Sequence, residues 1–150
     1  MSTHDLSRRQ FLTAGAAIGA IATMPKLAEA QESGGRLTLH AIDTYFGQTR
    51  AGLQIDLSIR DGDSYRLIKT VETVERGRTE EPLLVGDELQ VGRYELLMHV
   101  EEYFDKQQAE LPNPPFLSNI PIRFAVYDAS QKFHVPILFS PWSYSYYRGS

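Results

Sequence analysis

Apolar and polar residues alternate along much of this chain, a pattern typical of β-strands that bury one face. The alternation is clearest at residues 53–60, where leucine or isoleucine occupies every second position, and again at 94–100. The same pattern, broken by turn residues, predicts further strands at residues 37–44, 65–73, 120–127, 133–140 and 143–148. Seven or eight short strands at this spacing predict an all-β fold, an antiparallel β-sandwich.

One segment departs from the alternation. Residues 103–110 carry good helix formers in place of alternating apolar and polar positions. The prolines that follow, Pro112, Pro114 and Pro115, would end a helix there. We therefore expect one short helix beside the strands.

The first thirty residues have the pattern of an export signal. Ser7-Arg8-Arg9-Gln10-Phe11-Leu12 matches the twin-arginine motif, an apolar run occupies residues 14–24, and Ala28-Glu29-Ala30 provides a signal-peptidase site. The apolar run is shorter than the roughly twenty residues that cross a bilayer. We predict a twin-arginine signal peptide over residues 1–30, cleavage before Gln31, and a periplasmic protein without a membrane anchor.

The mature chain of residues 31–150 is short and mildly acidic. Without the three basic and two acidic residues of the signal, 12 basic and 17 acidic residues remain, a net charge of about −5 with neutral histidines. That charge disfavours nucleic acid and anionic lipid as partners. A chain of about 120 residues forms one domain. The absence of cysteine excludes a disulfide, a thiolate metal site and a cysteine nucleophile.

Four residues of the mature chain have side chains suited to catalysis. His40 and His134 lie in predicted strands, Arg78 follows a glycine in a charged loop, and Ser150 ends the chain. Each alone has an ordinary structural explanation. A strand histidine, His99 included, is usually a half-exposed polar residue, and a terminal serine usually frays. These residues matter only if the fold brings them together, which sequence spacing does not show in a β protein.

Three segments of the mature chain carry a family resemblance. They run from Leu37 to Thr44, from Arg76 to Leu84, and from Phe133 to Pro141 with the terminal Tyr147-Arg148-Gly149-Ser150. Together they resemble the 5-hydroxyisourate hydrolases, the transthyretin-related family of urate breakdown, over essentially the whole mature chain. The terminal tetrapeptide is the most specific segment, because it separates these hydrolases from the hormone-carrying transthyretins.

The resemblance implies a fold, an assembly and a site. The fold is a transthyretin-like antiparallel β-sandwich of seven or eight strands with one short helix. The assembly is a homotetramer with active sites in clefts between subunits. The substrate is a small purine-derived molecule, hydrolysed without a metal or cofactor. The implied catalytic residues are His40, His134 and Ser150, and the implied substrate-binding residues are Arg78 and Tyr147.

The chemistry of ring opening suits these residue types. Water loses a proton as it attacks the ring carbonyl, and an imidazole, whose ordinary pKa is about 6.5, can accept that proton at neutral pH. We hypothesise that His40 and His134 bind and deprotonate the water. Arg78 would stabilise the oxyanion, and Ser150 would orient water or substrate. Two histidines could also hold a metal, but no further histidine or cysteine stands at metal-ligand spacing.

Two positions depart from the family pattern. Arg76 stands before the glycine where an acidic residue is usual, which leaves the substrate-binding arginine open between Arg76 and Arg78. Tyr146 stands before the terminal tetrapeptide where threonine is usual. Its phenol ring would narrow the cleft, stack on the substrate or pack against a neighbour, and the sequence does not choose among these.

Two other kinds of protein share parts of this pattern. A transthyretin-like small-ligand binding protein without activity would have its channel plugged by Tyr146, but it would need neither both histidines nor the intact terminus. An extracytoplasmic sandwich used for adhesion or carbohydrate contact would expose an aromatic patch. The aromatic run that favours this last class is Trp142, Tyr144, Tyr146 and Tyr147. Packing at a subunit interface explains the run equally well.

Overall fold

The computed structural model describes residues 34–149, and within that range it has eight strands, one α-helix and two 3₁₀ turns. The strands are β1 (Arg36–Asp43), β2 (Gln54–Asp61), β3 (Ser64–Glu72), β4 (Leu84–Val85), β5 (Gly92–His99), β6 (Asn119–Val126), β7 (Lys132–Phe139) and β8 (Tyr144–Tyr146). The helix α1 is Val100–Lys106, and the 3₁₀ turns are Glu75–Gly77 and Gly86–Glu88. This confirms the predicted sandwich of seven or eight strands with one short helix.

The strands form two four-stranded sheets, in the orders β4-β1-β7-β8 and β3-β2-β5-β6. Their pairings are antiparallel except for β1 with β7, which is parallel. In that parallel pair Thr38 lies opposite His134, and His40 lies opposite Pro136. The first sheet therefore carries both candidate histidines on adjacent strands.

Apolar and polar residues alternate along β1, so every second side chain lies in the core between the two sheets. Leu37, Leu39 and Ala41 are each at most 3% exposed, whereas Thr38 and His40 remain partly exposed on the outer face. Each fully buried leucine contributes roughly 1.5–3 kcal/mol to folding through its removal from water. Burial of one face thus leaves the opposite face of β1 for polar side chains.

The strand predictions are confirmed to within about two residues at each end, the usual uncertainty of such boundaries. β4 is an additional strand, and its two residues are too few for alternation to show. α1 begins at Val100 and ends at Lys106, so the predicted span of 103–110 is wrong at both ends. The helix begins earlier than predicted because its buried residues, at helical spacing, start at Val100. Val100 also continues the apolar alternation of β5, which hides the start of the helix in the sequence. The other buried residues of the helix are Tyr103 and Phe104.

Asp43 anchors the end of β1 that follows His40. Its carboxylate is 1% exposed and accepts hydrogen bonds from the Tyr45 N–H at 2.8 Å and the Phe46 N–H at 3.0 Å. The Tyr103 hydroxyl of α1 also donates to it, at 3.0 Å. Burial, with the neighbouring Asp43 charge, raises the pKa of the Tyr103 phenol, so the hydroxyl keeps its proton. These bonds satisfy a buried charge and fix the strand against the helix.

Three sequence predictions concern residues outside the described part of the chain. These are the signal peptide of residues 1–30, its cleavage before Gln31, and the role of Ser150. Within residues 34–149, no helix is long and apolar enough to cross a membrane.

Candidate active site

The outer face of the first sheet holds both candidate histidines. In β1, residues 36, 38 and 40 point away from the core because residues 37, 39 and 41 point into it. In β7, His134 is likewise partly exposed between two buried neighbours. The parallel register then aligns the outward positions of the two strands, so their side chains share one surface.

A hydrogen bond from β1 holds the His134 imidazole. Thr38 Oγ1 lies 2.9 Å from His134 Nδ1 and 3.5 Å from the Phe133 carbonyl oxygen. The rings of His40 and His134 are 6.5 Å apart between centroids and are tilted by 31°. This separation places both imidazoles within reach of one small molecule.

A tight loop over residues 74–78 brings Arg78 to the histidines. The Gly77 N–H donates to the Val74 carbonyl at 3.1 Å, and the Val74 N–H donates to the Arg78 carbonyl at 2.7 Å. Gly77 has a φ of +66° and is buried against β1, where an added Cβ would overlap the Ala41 carbonyl oxygen. Only glycine fits this contact, so the glycine fixes the loop against β1.

The C-terminal segment runs along the other side of β7. Beyond β8, the Tyr147 N–H donates to the Pro136 carbonyl at 3.3 Å, and the Gly149 N–H donates to the His134 carbonyl at 2.8 Å. A Cβ on Gly149 would lie 3.0 Å from Cδ2 of His134, so glycine lets the segment pack closely on the imidazole. The described chain thus ends in contact with His134, and Ser150 follows outside it.

Two grooves flank His134. The first, which we call the basic groove, has a volume of about 360 Å³, and its lining residues are Arg36, Thr38, Arg78, Lys132, Phe133 and His134. The second, the aromatic groove, has a volume of about 220 Å³, and its aromatic lining residues are Phe124, Phe133, Tyr146 and Tyr147. The two predicted substrate-binding residues, Arg78 and Tyr147, therefore lie on opposite sides of the same histidine.

Both imidazoles have lowered pKa values. Partial burial lowers the pKa of His134, and the positive charges of Arg78, of His40 when it is protonated, and of Arg36 lower it further. Burial and Arg78 likewise lower the pKa of His40, against a hydrogen bond to the Arg76 backbone that raises it. Each ring is therefore neutral at neutral pH and able to accept a proton.

The structure separates the two arginines of the loop and locates Tyr146. Both arginines are exposed, but Arg78 lines the basic groove, whereas Arg76 approaches His40 only through its backbone. Tyr146 lies on the aromatic side, where its hydroxyl donates to the Arg123 carbonyl at 2.9 Å and ties β8 to β6. The ring itself is exposed and lines the aromatic groove.

In the basic groove, the polar side chains beside His134 are one hydroxyl and three cations. They are the Thr38 hydroxyl, the Arg78 guanidinium and two further basic side chains. Within residues 34–149, no three or more histidine, cysteine, aspartate or glutamate side chains are placed to hold a metal ion. The surface is suited to binding oxygen atoms and to moving protons.

Three residues of the basic groove were missed by the sequence reasoning. They are Arg36, Thr38 and Lys132. The alternation of the strands could have identified them. Each lies an even number of residues from a candidate histidine, so its side chain is on the same face of the strand as that histidine. A rule that reads the outward positions beside each candidate histidine would have found all three.

The chain matches one protein family over nearly all of its described length. The model of the HIUase/Transthyretin family matches residues 37–149. The chain is 47% identical over 116 residues to "5-hydroxyisourate hydrolase 2" of Rhizobium meliloti, across 77% of this chain and 97% of that protein. It is 39% identical over 116 residues to the 5-hydroxyisourate hydrolase of Pseudomonas aeruginosa, across 77% of this chain and 92% of that protein.

Solved structures show the same fold. The structure of Klebsiella pneumoniae 5-hydroxyisourate hydrolase aligns with a TM-score of 0.63 at 27% identity, over 77% of this chain and 94% of that one. An (S)-allantoin synthase structure aligns with a TM-score of 0.73 at 37% identity, over 79% of this chain. The alignment spans only 44% of the synthase chain.

Proposed function

Because this chain belongs to the HIUase/Transthyretin family, we propose that it hydrolyses 5-hydroxyisourate in the breakdown of urate. The observation that carries the proposal is the convergence of two imidazoles and one guanidinium on one outward surface, where burial and the Arg78 charge lower the pKa of both imidazoles. The substrate is a small purine derivative, and opening its ring gives 2-oxo-4-hydroxy-4-carboxy-5-ureidoimidazoline. That reaction needs a base for the water and positive charge for the oxyanion.

His40 and His134 bind and deprotonate the attacking water. The water oxygen forms a bond to the ring carbonyl carbon, and one water proton passes to an imidazole nitrogen. The tetrahedral oxyanion then collapses, the ring C–N bond breaks, and the imidazolium returns the proton to the departing nitrogen. The second water proton leaves when the new carboxyl group ionises, so one water is consumed and nothing is oxidised.

Arg78 binds the substrate's carbonyl oxygens and stabilises the oxyanion. Its guanidinium presents a fork of donors at the basic groove, and the other two cations of that groove lie where negative charge develops. Tyr147 contacts the substrate from the aromatic side of His134. Ser150, which directly follows the residue packed on His134, orients water or substrate.

The proposed assembly is a homotetramer with sites in clefts between subunits. β8 lies at the edge of its sheet and is exposed, and the exposed aromatic side chains around it are Trp142, Tyr144, Tyr146 and Tyr147. A neighbouring subunit that paired with this edge would cover them. Light scattering of the purified protein should give the mass of four chains, and a monomeric mass would contradict the assembly.

The proposed localisation is periplasmic, by twin-arginine export and cleavage before Gln31. Replacing Arg8 and Arg9 with lysine should retain the uncleaved precursor in the cytoplasm. In cells with the native signal, N-terminal sequencing of the periplasmic protein should begin at Gln31. A native chain that stays uncleaved in the cytoplasm would contradict export.

The reaction is tested with the chain from Gln31 and an untagged C-terminus. Urate oxidase generates 5-hydroxyisourate in situ, and the decay of its ultraviolet absorbance is followed with and without the protein. We expect decay faster than the spontaneous rate, and a variant lacking Ser150 should lose most of that acceleration. A protein that does not accelerate the decay would instead be a non-catalytic transthyretin-like small-ligand binding protein.

Arg78→Gln should lower kcat/KM by roughly 10²- to 10³-fold, because it removes a cation that stabilises the oxyanion. It should also move the acidic limb of the pH–rate profile to higher pH. The Arg78 charge lowers the pKa of both histidines, so without it each ring becomes protonated at a higher pH. Arg76→Gln is the matched control, since it removes an exposed arginine of the same loop. Equal effects of the two substitutions would contradict the role of Arg78.

A further inference from the structure

Thr38 lies directly beside His134 on the adjacent strand. Its Oγ1 is 2.9 Å from His134 Nδ1 and 3.5 Å from the Phe133 carbonyl oxygen. The parallel register pairs residues 38 and 134, and both side chains are on the outer face of the sheet. Because both backbones are held in a sheet, the fold itself sets this contact.

The group to which the Thr38 hydroxyl donates its proton determines which imidazole nitrogen of His134 carries the hydrogen. A threonine hydroxyl has one proton to donate and two lone pairs that accept. If Thr38 donates its proton to the Phe133 carbonyl, it meets His134 as an acceptor, and Nδ1 carries the imidazole hydrogen. The free lone pair of the neutral ring is then on Nε2, the only nitrogen that can take up a proton.

We propose that Thr38 is a positioning residue that holds His134 in the Nδ1–H tautomer, which leaves Nε2 to accept the proton of the attacking water. The catalytic part of this inference rests on the proposed hydrolysis, whereas the tautomer does not depend on any substrate. Once His134 is protonated, Nδ1 still donates to Thr38, because both nitrogens of the imidazolium are donors. The same bond therefore orients the ring before and after proton transfer.

Charged and titratable groups surround His134 on every side, so a change at Thr38 must be distinguished from a change in charge. The groups are Arg36 and His40 of β1, Arg78 of the 74–78 loop, Lys132 of β7, Tyr146 of β8, and Tyr147 and Arg148 of the terminal segment. Thr38 is uncharged. Its replacement by an uncharged residue alters the hydrogen bond to the ring and leaves these charges in place.

The test is Thr38→Val, which keeps a β-branched side chain and removes the hydroxyl. We expect kcat to fall roughly 10- to 100-fold, the range for losing a hydrogen bond to a group that becomes charged. KM should change by less than about threefold, since the hydroxyl that is removed bonds to His134 and to the Phe133 carbonyl. Nitrogen NMR of the imidazole in the substrate-free protein should show Nδ1–H in the wild type and a mixture of tautomers in the variant. Thr38→Ser should keep the tautomer and most of kcat.

Thr44→Val is the matched control. Thr44 Oγ1 donates to the Phe139 carbonyl at 3.0 Å, the equivalent bond between the chain at the end of β1 and β7, but it lies away from His134. This variant should keep the wild-type rate and the wild-type nitrogen spectrum.

Two results would overturn the inference. One is an Nε2–H tautomer in the wild type, and the other is a Thr38→Val variant with unchanged tautomer and unchanged kcat. A failure of the proposed function looks different. In that case the nitrogen spectra of the wild type and Thr38→Val differ as expected, and the wild type does not hydrolyse 5-hydroxyisourate.

Discussion

His134→Asn lowers kcat/KM for 5-hydroxyisourate by roughly 10²- to 10⁴-fold, the range over which a positioned side chain accelerates proton transfer. The asparagine amide lies near the position of Nδ1 and can still donate to Thr38, but it cannot take up a proton. The backbone of residue 134 is unchanged, so its hydrogen bond from Gly149 remains. The loss is therefore expected in kcat, with the chain still folded.

His99→Asn is the matched control for this substitution. His99 is also a partly buried strand histidine, but it lies in the other sheet, where its Nε2 is 2.9 Å from the Asp56 carboxylate. Its replacement removes a local hydrogen bond and leaves the basic groove intact. We expect a small loss of stability and an unchanged rate. A His134→Asn variant as active as the wild type would show that His134 is not the base.

The pH–rate profile of the wild type provides a second measurement of the same role. The pKa values of His134 and His40 are lowered, first by burial and then by the charge of Arg78. Both rings therefore stay neutral as the pH falls through about 6.5, the ordinary imidazole value. The rate should decline only below that pH, as the bases become protonated. An acidic limb centred above it would contradict neutral imidazoles as the bases.

Gly77→Ala lowers the free energy of unfolding by roughly 2–6 kcal/mol and removes most of the activity. An alanine here must hold a φ of +66°, and its Cβ overlaps the Ala41 carbonyl oxygen of β1. The backbone conformation costs roughly 1–3 kcal/mol, and the overlap costs a similar amount. Relief of the overlap moves the loop away from β1, and Arg78 moves with it. Urea unfolding and the hydrolysis assay measure the two effects.

Gly47→Ala separates backbone strain from overlap. Gly47 has the same φ of +66°, but nothing lies within 4 Å of its Cβ position. We expect this variant to lose only the roughly 1–3 kcal/mol of backbone strain and to keep the wild-type rate. If both variants lost the same stability and both kept the rate, the contact of Gly77 with β1 would have no part in placing Arg78.

Much of the site's local structure was predictable, because the face on which a side chain lies depends only on its position within its own strand. Alternation in β1 assigns Leu37 and Leu39 to the core and Thr38 and His40 to the opposite face, as the structure shows. The start of α1 was not predictable in this way. Val100 continues the alternation of the preceding strand, and only its burial together with Tyr103 shows that it belongs to the helix.

His40, Arg78 and His134 were identified through the resemblance of their motifs to known hydrolases. Their spacing along the chain gave no indication that they lie close together in the fold. The structure places all three around one surface and shows that Arg78, of the two loop arginines, lines the groove. Thr38 stood within a quoted motif and still carried no chemical signal. Its importance appears only when a ring nitrogen is found 2.9 Å from its hydroxyl.

The sequence alone was enough to predict seven of the eight strands that the structure describes, the outward side chains of β1 and, through the resemblance, the family. The structure was needed to show that β1 lies parallel to β7, in the register that sets Thr38 against His134, and that Gly77 contacts β1. Alternation is a property of a single strand, and it follows from geometry repeated every two residues. Register depends instead on contacts between strands far apart in the chain, and the packing of the whole core sets it.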